Sequence, residues 1–500
     1  MELPLTPLDL LARARRLFAD RVGVIDGDAR WTYGEYGGRC DRLGHALQRD
    51  VGVEPGQVVA WLGGNTHELL EAYYGVLLAG GVLLPLNIRL AAAELRAILD
   101  ASGAVVLFRH PDQPDPGHGV RTVVLGDEHE ALLAAQPDAG VPTPPVDEHA
   151  PAELFFTSGS TGTPKGALLS HRGLYLHAIH SALTMGLTGD DVFLHTIPLF
   201  HVNGWGTPHF VTGLGGVHVM LPRFDAGEVL RLVEVHRVTR LFLVPAMARL
   251  VLDDRAIASR DLSSVIQISV GGAAASPSLL AELEDAFGCQ AICGYGMTES
   301  SPTLTRSLPT PGRESTRAQR ATTGRPILGV DVRVLGEGDR EVPWDDVTVG
   351  EICARSNHVM IGYLDAPEAT DAMLRGGWLR TGDLATVDAD GYVTIVDRAK
   401  DLIVSGGENI ASVEVEQALE LHPAVREVAV VGVADERWGE VPRAFVALVP
   451  GTAADEPELI AWVRERLAAF KAPKSVVFVD ELPKVGTGKV DKQSLRGWAL

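Results

Sequence analysis

The segment 157–166, TSGSTGTPKG, carries side chains suited to binding a polyphosphate. Its three glycines, five hydroxyl residues and one lysine directly follow the apolar Leu154–Phe156. Glycines expose backbone N–H groups, hydroxyls donate hydrogen bonds and Lys165 supplies a cation. The segment is not a Walker A loop, because Pro164 precedes the lysine and Gly166 follows it. A flexible Ser/Gly linker is the alternative, but the preceding apolar strand favours a phosphate loop.

Two further segments place carboxylates where a nucleotide could use them. YGMTE, at 295–299, sets the hydroxyl of Thr298 beside Glu299, and a carboxylate next to a triphosphate can hold Mg²⁺. RTGD, at 380–383, ends in Asp383, and Arg398 follows further along the chain. An aspartate can accept hydrogen bonds from both ribose hydroxyls while an arginine donates to the same sugar. A surface Thr-Glu pair and a solvated turn are the alternatives.

An apolar substrate could lie against two other segments. In SVGGAA, at 269–274, small side chains let a flat ring or an acyl chain approach the backbone, although a bulge or a helix start would look the same. PLFHVNGWG, at 198–206, places His201 and Trp205 in an apolar run. A lone histidine in such a run is more often a buried core residue than a catalyst, so we assign His201 to a pocket wall and not to acid–base chemistry.

Near the C-terminal end, PKVGTGKV at 483–490 places Lys489 in a Gly/Thr-rich loop. A flexible loop can bring a cation onto a reacting carboxylate and phosphate, where it stabilises charge that develops in the transition state. Taken alone, the lysine would be a solvated surface charge.

The elements that must position these segments alternate between strand-like and helical runs over 57–126 and again over 228–293. This alternation predicts an α/β fold with layered, mostly parallel sheets covered by helices. After Asp397 the pattern changes, and the last hundred residues predict a small α+β domain. At the other end, Thr6 and Pro7 predict the start of an amphipathic helix with Leu10, Leu11, Ala14, Leu17 and Phe18 on its apolar face.

Composition limits the function classes. The 500 residues include 65 acidic and 44 basic side chains, a net charge of −21, which opposes binding to nucleic acid or anionic lipid. No apolar stretch reaches the roughly 20 residues of a membrane span, and no export signal is visible. The four cysteines form no framework, and Cys289 and Cys293 are better read as packing residues. These features predict a cytoplasmic protein with a small anionic ligand.

Taken in order, these segments, together with GEICARS at 350–356 and DRAKDLIVSGGENI at 397–410, resemble the adenylate-forming superfamily. This superfamily includes acyl-CoA synthetases, peptide-synthetase adenylation domains and luciferases, and the resemblance covers nearly the whole chain. It is strongest to fatty or medium-chain acyl-CoA ligases. It implies ATP, Mg²⁺ and coenzyme A as cofactors and a small carboxylic acid as substrate.

The resemblance also assigns roles to residues. It makes Lys489 the catalytic lysine of adenylation, aided by Thr298 and Glu299, and it makes Glu299 and Thr161 magnesium ligands. The implied cofactor-binding residues are Thr157, Ser158, Gly159, Ser160, Thr161, Gly162, Lys165, Gly272, Ala273, Tyr295, Gly296, Asp383, Arg398, Gly406, Gly407 and Glu408. The implied substrate residues are His201, Val202, Asn203, Gly204, Trp205, Gly271, Gly294 and Met297.

In the reaction that the resemblance implies, a carboxylate oxygen attacks the α-phosphorus of ATP, and a thiol then attacks the acyl carbon and releases AMP. A large domain at 1–397 would bind ATP and the acid. A mobile domain at 398–500, hinged at Lys400, would first present Lys489 and then turn SGGENI toward the thiol. Lys489→Ala is therefore expected to lose acyl-adenylate formation but to keep most thioester synthesis from supplied acyl-adenylate.

The sequence thus predicts an ATP-dependent carboxylic acid:CoA ligase acting on a medium-chain fatty or similar apolar monocarboxylic acid. Glycines around Trp205 suggest an open pocket with no evident charged partner for a second carboxylate. One alternative keeps adenylation but passes the acyl group to a carrier protein, an amine or another nucleophile of secondary metabolism. Another is a non-catalytic nucleotide-binding regulator on the same fold. A homodimer is compatible with the sequence.

Overall fold

The structure is a computed structural model that describes residues 3–117, 119–157, 164–309, 312–398, 401–405, 408–435, 437–484 and 490–498. The chain forms two compact units. The first comprises Met1–Val332 and Ala354–Leu379, and the second comprises Arg333–Cys353 and Arg380–Leu500.

Helices and strands alternate through most of the first unit, and a shorter set builds the second. The helices are α1 (Pro7–Leu17), α2 (Tyr33–Ala46), α3 (His67–Leu78), α4 (Ala92–Ser102), α5 (Asp127–Ala134), α6 (His171–Met185), α7 (Val202–Leu214), α8 (Ala226–His236), α9 (Pro245–Asp253), α10 (Pro277–Phe287), α11 (Arg317–Ala321), α12 (Pro367–Met373), α13 (Ser412–Glu420), α14 (Glu456–Arg464) and α15 (Lys492–Trp498). A π-helical turn covers Leu47–Val51, and 3₁₀ turns cover Arg255–Ser259, Thr298–Ser300, Glu337–Asp339 and Arg375–Gly377.

The strands are β1 (Val22–Asp26), β2 (Ala29–Thr32), β3 (Val58–Leu62), β4 (Val82–Pro85), β5 (Val106–Arg109), β6 (Arg121–Val124), β7 (Pro151–Thr157), β8 (Lys165–Ser170), β9 (Val192–Leu194), β10 (Val217–Val219), β11 (Arg240–Leu243), β12 (Gln267–Val270), β13 (Gln290–Gly296), β14 (Thr303–Arg306), β15 (Arg325–Pro326), β16 (Val330–Leu335), β17 (Gly350–Ser356), β18 (Gly362–Tyr363), β19 (Leu379–Val387), β20 (Val393–Arg398), β21 (Ile403–Ser405), β22 (Glu408–Ile410), β23 (Val425–Asp435), β24 (Gly439–Leu448) and β25 (Ser475–Phe478).

Two large sheets dominate the first unit and confirm the predicted α/β architecture. A nine-stranded sheet has the order β15-β14-β13-β12-β11-β9-β10-β1-β2, and its strands from β13 to β1 pair in parallel. A seven-stranded sheet has the order β18-β8-β7-β4-β3-β5-β6, in which β8 pairs antiparallel with both neighbours. Parallel strands need helical crossovers, which explains the alternation in the sequence.

Two smaller sheets complete the fold. One has the order β16-β17-β19-β20. The other belongs to the second unit and has the order β22-β21-β24-β23, with β25 paired to β24. Its core consists of Val and Ala side chains on β23 and β24 packed beneath α13 and α14. The predicted domain boundary at 397/398 stays a prediction.

Local sequence explains how the first helix forms. Thr6 caps α1 by accepting a hydrogen bond from the backbone N–H of Leu8, and Pro7 occupies the first turn, as predicted. Leu10, Leu11 and Ala14 are buried, whereas Leu17 is 52% exposed. The helix ends at Leu17, and Phe18, just past its end, is half-buried against the core, so Leu17 is the one predicted face residue that is exposed.

Candidate active site

The two ends of the glycine-rich segment belong to neighbouring strands, with Thr157 closing β7 and Lys165 opening β8. The two strands pair antiparallel with Thr157 opposite Lys165. A Walker A loop joins a strand to a helix, so this topology agrees with the sequence argument against that motif. Five predicted phosphate-binding residues of this segment, Ser158, Gly159, Ser160, Thr161 and Gly162, lie outside the described residues.

A tyrosine that the sequence analysis missed connects these strands to the YGMTE segment. The Tyr363 hydroxyl donates a hydrogen bond of 2.6 Å to Oε1 of Glu299, and Nζ of Lys165 lies 5.6 Å from the centre of the Tyr363 ring. The position of Tyr363 follows from β18, which pairs with β8 at Ala167. Burial and the neighbouring Glu299 raise the pKa of Tyr363 well above its ordinary value, so its hydroxyl stays a donor at neutral pH.

Glu299 suits a divalent cation. The residue is 5% exposed, and no lysine, arginine or histidine in the described part of the chain forms an ion pair with it. A buried carboxylate without a counter-charge is costly, and a hard cation that takes oxygen ligands would compensate it. Tyr363 orients one carboxylate oxygen, as outer-shell donors orient metal ligands. The neighbouring Thr298 is also buried.

The other predicted first-unit residues gather where strands of the nine-stranded sheet end. Gly271 follows β12, and Gly294 to Gly296 close β13, so both groups lie at the carboxyl edge of parallel strands, where α/β sheets bind ligands. A Cβ atom on Gly271 would lie 3.0 Å from the carbonyl oxygen of Gly294 and 3.1 Å from the Trp205 ring. A larger residue at this position would have to push Trp205 or the Gly294 carbonyl away by a few tenths of an ångström. Gly272 is half-buried with a φ of +78°, Ala273 is exposed, and Tyr295 and Met297 are half-buried.

The HVNGW segment enters α7 through a left-handed turn. Val202, Asn203, Gly204, Trp205 and Gly206 all have positive φ, from 37° to 91°. This conformation costs about 1–2 kcal/mol for each residue that is not glycine. It places Trp205 on the backbone of Gly271 and 5.6 Å from the Phe242 ring centre. Glycine and aromatic surfaces thus form an apolar wall at the sheet edge, and the half-buried His201 lies just before the turn.

A buried carboxylate holds this turn, and the sequence analysis did not identify it. Glu153 on β7 is fully buried, and its Oε2 accepts a 2.8 Å hydrogen bond from the amide of Asn203. Its Oε1 lies 2.7 Å from Nε2 of His209, on the next turns of α7. The amide of Asn203 therefore points into the core, while its predicted contact with substrate stays a prediction. In the sequence, a single charged residue among the apolar residues of AELFF, at 152–156, was the signal that could have revealed Glu153.

The predicted ribose-binding pair comes together within the second unit. Asp383 on β19 lies opposite Arg398 on β20, and Oδ1 is 3.1 Å from Nε of the arginine. Asp383 is 5% exposed, whereas the Arg398 side chain is 51% exposed. The Glu351 side chain accepts a hydrogen bond from the backbone N–H of Gly382, which fixes the turn before the aspartate.

The remaining predicted residues belong to the C-terminal part. Glu408 begins β22 and is exposed. Lys400, Gly406, Gly407 and Lys489 lie outside the described residues. None of the helices in the described part of the chain is both long and apolar enough to cross a membrane.

Comparison with known proteins places this arrangement in a family. Residues 11–364 match the AMP-binding enzyme family, and residues 414–489 match the AMP-binding enzyme C-terminal domain. A feruloyl-CoA synthase of an Amycolatopsis species is 40% identical to this chain over 489 residues, 97% of both chains. The 4-hydroxybutyrate–CoA ligase 2 of Metallosphaera sedula is 34% identical over 99% of this chain and 94% of that protein.

Solved structures agree with these matches. The crystal structure of the anthranilate CoA ligase AuaEII in complex with anthranoyl-AMP has a TM-score of 0.91 and 27% identity, covering 100% of this chain and 98% of that one. The matched families, the relatives and the fold lead to one conclusion. The chain belongs to the AMP-binding enzyme family within the adenylate-forming superfamily, and it is an AMP-forming acid–thiol ligase that uses ATP and CoA.

Proposed function

We propose that this ligase activates an acid with an apolar body, an aromatic acid or a medium-chain fatty acid, and joins it to coenzyme A. The observation that carries this proposal is the apolar wall at the sheet edge, where Trp205 lies on the backbone of Gly271 beside Phe242. Aromatic and glycine surfaces accept a flat ring or an extended chain and exclude water from the reacting carboxylate. The aromatic acids in the names of the feruloyl and anthranilate ligases support the first candidate.

The nucleotide-binding residues predicted from the sequence then have the following roles in adenylation. Thr157, Lys165 and Thr298 would bind the phosphates, and Asp383 with Arg398 would bind the ribose. Tyr295, Gly296, Gly272 and Ala273 would contact the adenine. Glu299, oriented by Tyr363, would hold Mg²⁺, which when bound neutralises charge on the phosphates.

The reaction needs no nucleophile from the protein. The acid oxygen attacks the α-phosphorus and displaces pyrophosphate, and the CoA sulfur then attacks the acyl carbon and displaces AMP. The protein orients the groups and stabilises charge, with Lys489 acting in the first step. The domains 1–397 and 398–500, hinged at Lys400, would alternate between the two steps, and Gly406, Gly407 and Glu408 would face the thiol in the second.

The test combines a panel of acids with one variant and its matched control. Pyrophosphate–ATP exchange and AMP release are measured with alkanoic, cinnamic and benzoic acids, each with no acceptor, with CoA or with acyl carrier protein. Exchange that depends on the acid, and AMP release that rises with CoA, support the proposal. Binding of ATP with no exchange for any acid would favour a non-catalytic nucleotide-binding regulator, and faster AMP release with the carrier protein than with CoA would favour that acceptor.

Lys489→Ala is expected to lower acyl-adenylate formation by about a hundredfold or more, while thioester synthesis from supplied acyl-adenylate changes little. Lys484→Ala is the control in the same segment, because Lys484 pairs with Glu427 at 2.9 Å on the surface. If Lys489→Ala slowed both half-reactions equally, the proposal that Lys489 acts only in the adenylation step would be refuted.

A further inference from the structure

Arg306 is a buried cation next to the apolar wall. It ends β14, opposite Gly294 of β13, and only 4% of it is exposed. Its guanidinium carbon lies 5.1 Å from the centre of the Phe242 ring. The side chain therefore extends from β14 toward β11, and its planar cation lies over an aromatic face.

No counter-charge accompanies this cation in the described part of the chain. Arg306 pairs with no carboxylate there, and its side chain donates no hydrogen bond to a described residue. Burial lowers the pKa of Arg306 to about 10, so the guanidinium is still charged at neutral pH. A buried charge with five donors and no acceptor is strongly unfavourable, and one cation–π contact offsets only part of its cost.

The guanidinium lies beside the residues proposed to bind the acid. Nη1 is 3.4 Å from the point where a Cβ atom on Gly294 would lie. The carbonyl oxygen of the same Gly294 borders Gly271, on which Trp205 lies, and Trp205 and Arg306 both contact Phe242. Because Gly294 has no side chain, the guanidinium lies close to its backbone and thus near the wall.

We infer that Arg306 binds an oxygen anion or hydroxyl at the end of the acid remote from the carboxylate that is activated. This inference rests on the proposed function and deepens it, because the substrate would have an apolar body with a polar far end. A second carboxylate would supply both the missing charge and the missing acceptors, and a terminal or phenolic hydroxyl would supply acceptors only. This inference departs from the sequence-based prediction of a pocket without a charged partner, and the experiment below decides between the two.

The experiment compares acids that differ only at the far end. Hexanoate, 6-hydroxyhexanoate and adipate form one series, and cinnamate, 4-hydroxycinnamate and 4-carboxycinnamate form the other. The wild type, Arg306→Met, Arg306→Lys and the exposed control Arg249→Met are assayed for kcat/KM in AMP release. Arg249 is about half exposed and pairs with Glu282.

We expect the wild type to prefer one oxygenated member of a series over its apolar parent by about tenfold to a hundredfold. Arg306→Met should lose this preference but keep its kcat/KM for the apolar parent. Arg306→Lys should keep part of the preference, and Arg249→Met should keep all of it. Preference for the dicarboxylates identifies a carboxylate as the ligand, and preference for the hydroxy acids identifies a hydroxyl. If Arg306→Met lowered kcat/KM by the same factor for every acid in a series, the inference would be overturned.

Two further measurements separate this inference from the proposed function. Without ligand, Arg306→Met should melt at the same or a higher temperature, because it removes an unpaired buried charge, whereas a merely structural arginine would lower the melting temperature. If no acid of either series supports AMP release, the proposed function fails, and calorimetric titration with the same acids still decides the role of Arg306. Binding at least tenfold weaker in Arg306→Met would support it, and equal binding would overturn it.

Discussion

The buried carboxylate of Glu153 offers a direct test of how the apolar wall is held. Its two oxygens contact Asn203, within the left-handed turn that carries Trp205, and His209, in the part of α7 that follows this turn. Glu153→Gln keeps the shape of the side chain but replaces one acceptor oxygen by an NH₂ group. An NH₂ group facing the Asn203 amide would meet a donor, and one facing His209 would require the ring proton to move from Nε2 to Nδ1, which is buried without a partner. Either orientation therefore loses or weakens one of the two contacts.

The size of the effect follows from the contacts. A hydrogen bond to a charged group contributes about 1.5–3 kcal/mol, so the two contacts of Glu153 contribute about 3–6 kcal/mol. The left-handed conformations of Val202, Asn203 and Trp205 together cost about 3–6 kcal/mol. These two sums are comparable, and loss of one contact, about 2 kcal/mol, should therefore let the turn relax.

We expect Glu153→Gln to raise the KM for the acid about tenfold or more, because Trp205 would leave the backbone of Gly271. The KM for ATP should stay within about twofold, since Lys165, Glu299 and Tyr363 do not contact Glu153. Steady-state AMP release with each substrate varied in turn measures both constants, and thermal melting reports the loss of stability.

Glu282→Gln is the matched control, because Glu282 is 48% exposed and pairs with Arg249 on the surface. Surface ion pairs contribute about 0–1 kcal/mol, so this variant should leave melting and both KM values nearly unchanged. An equal rise of both KM values in Glu153→Gln, or no change in either, would refute the argument that Glu153 positions Trp205.

Two further predictions concern Tyr363 and the buried histidine His358. Tyr363→Phe removes the hydroxyl that orients Glu299. Half-maximal pyrophosphate exchange should then need about tenfold more free Mg²⁺, while the KM for the acid stays unchanged. The same Mg²⁺ requirement in the variant and the wild type would contradict this role. Burial lowers the pKa of His358 from 6.5 to about 4. Folding therefore favours the neutral ring, and the folded state is not penalised by this residue above pH 6.5. As the pH falls from 6.5 toward 4, the free energy of unfolding should drop by about 3 kcal/mol at most. Melting temperatures between pH 7 and 4 should fall less steeply in His358→Gln, which can still donate to the Ser300 carbonyl, and identical slopes in the two proteins would count against the assignment.

Local patterns predicted the elements well where one periodicity dominates. Strands and helices alternate over 57–126 as predicted, with the apolar run VVAWL at 58–62 in β3 and the next helix in α3. In the C-terminal part, the helical periodicity of apolar residues runs from 456 to 470, but α14 ends at Arg464. Helix ends depend on caps and on packing against neighbours, and apolar periodicity does not encode either of these.

The candidate site could be predicted only as separate segments. Asp383 and Arg398 were paired from their chemistry, and the strand register indeed places them opposite each other. Tyr363 was missed because its link to Glu299 depends on an antiparallel pairing between β18 and β8, which are distant in sequence. Contacts of this kind arise from topology, which motif spacing does not record.

Glu153 and Arg306 show a more general limit. Each is a charged residue in a strand of otherwise uncharged residues, and a single sequence does not distinguish a charge that faces water from one that is buried. The structure shows that both residues are buried and that they differ in the groups that contact them. The carboxylate of Glu153 contacts two side chains, so its burial serves the fold, whereas the guanidinium of Arg306 lies on an aromatic face and pairs with no carboxylate among the described residues. Because a buried charge is retained only when something compensates it, the compensation for Arg306 is expected from the substrate.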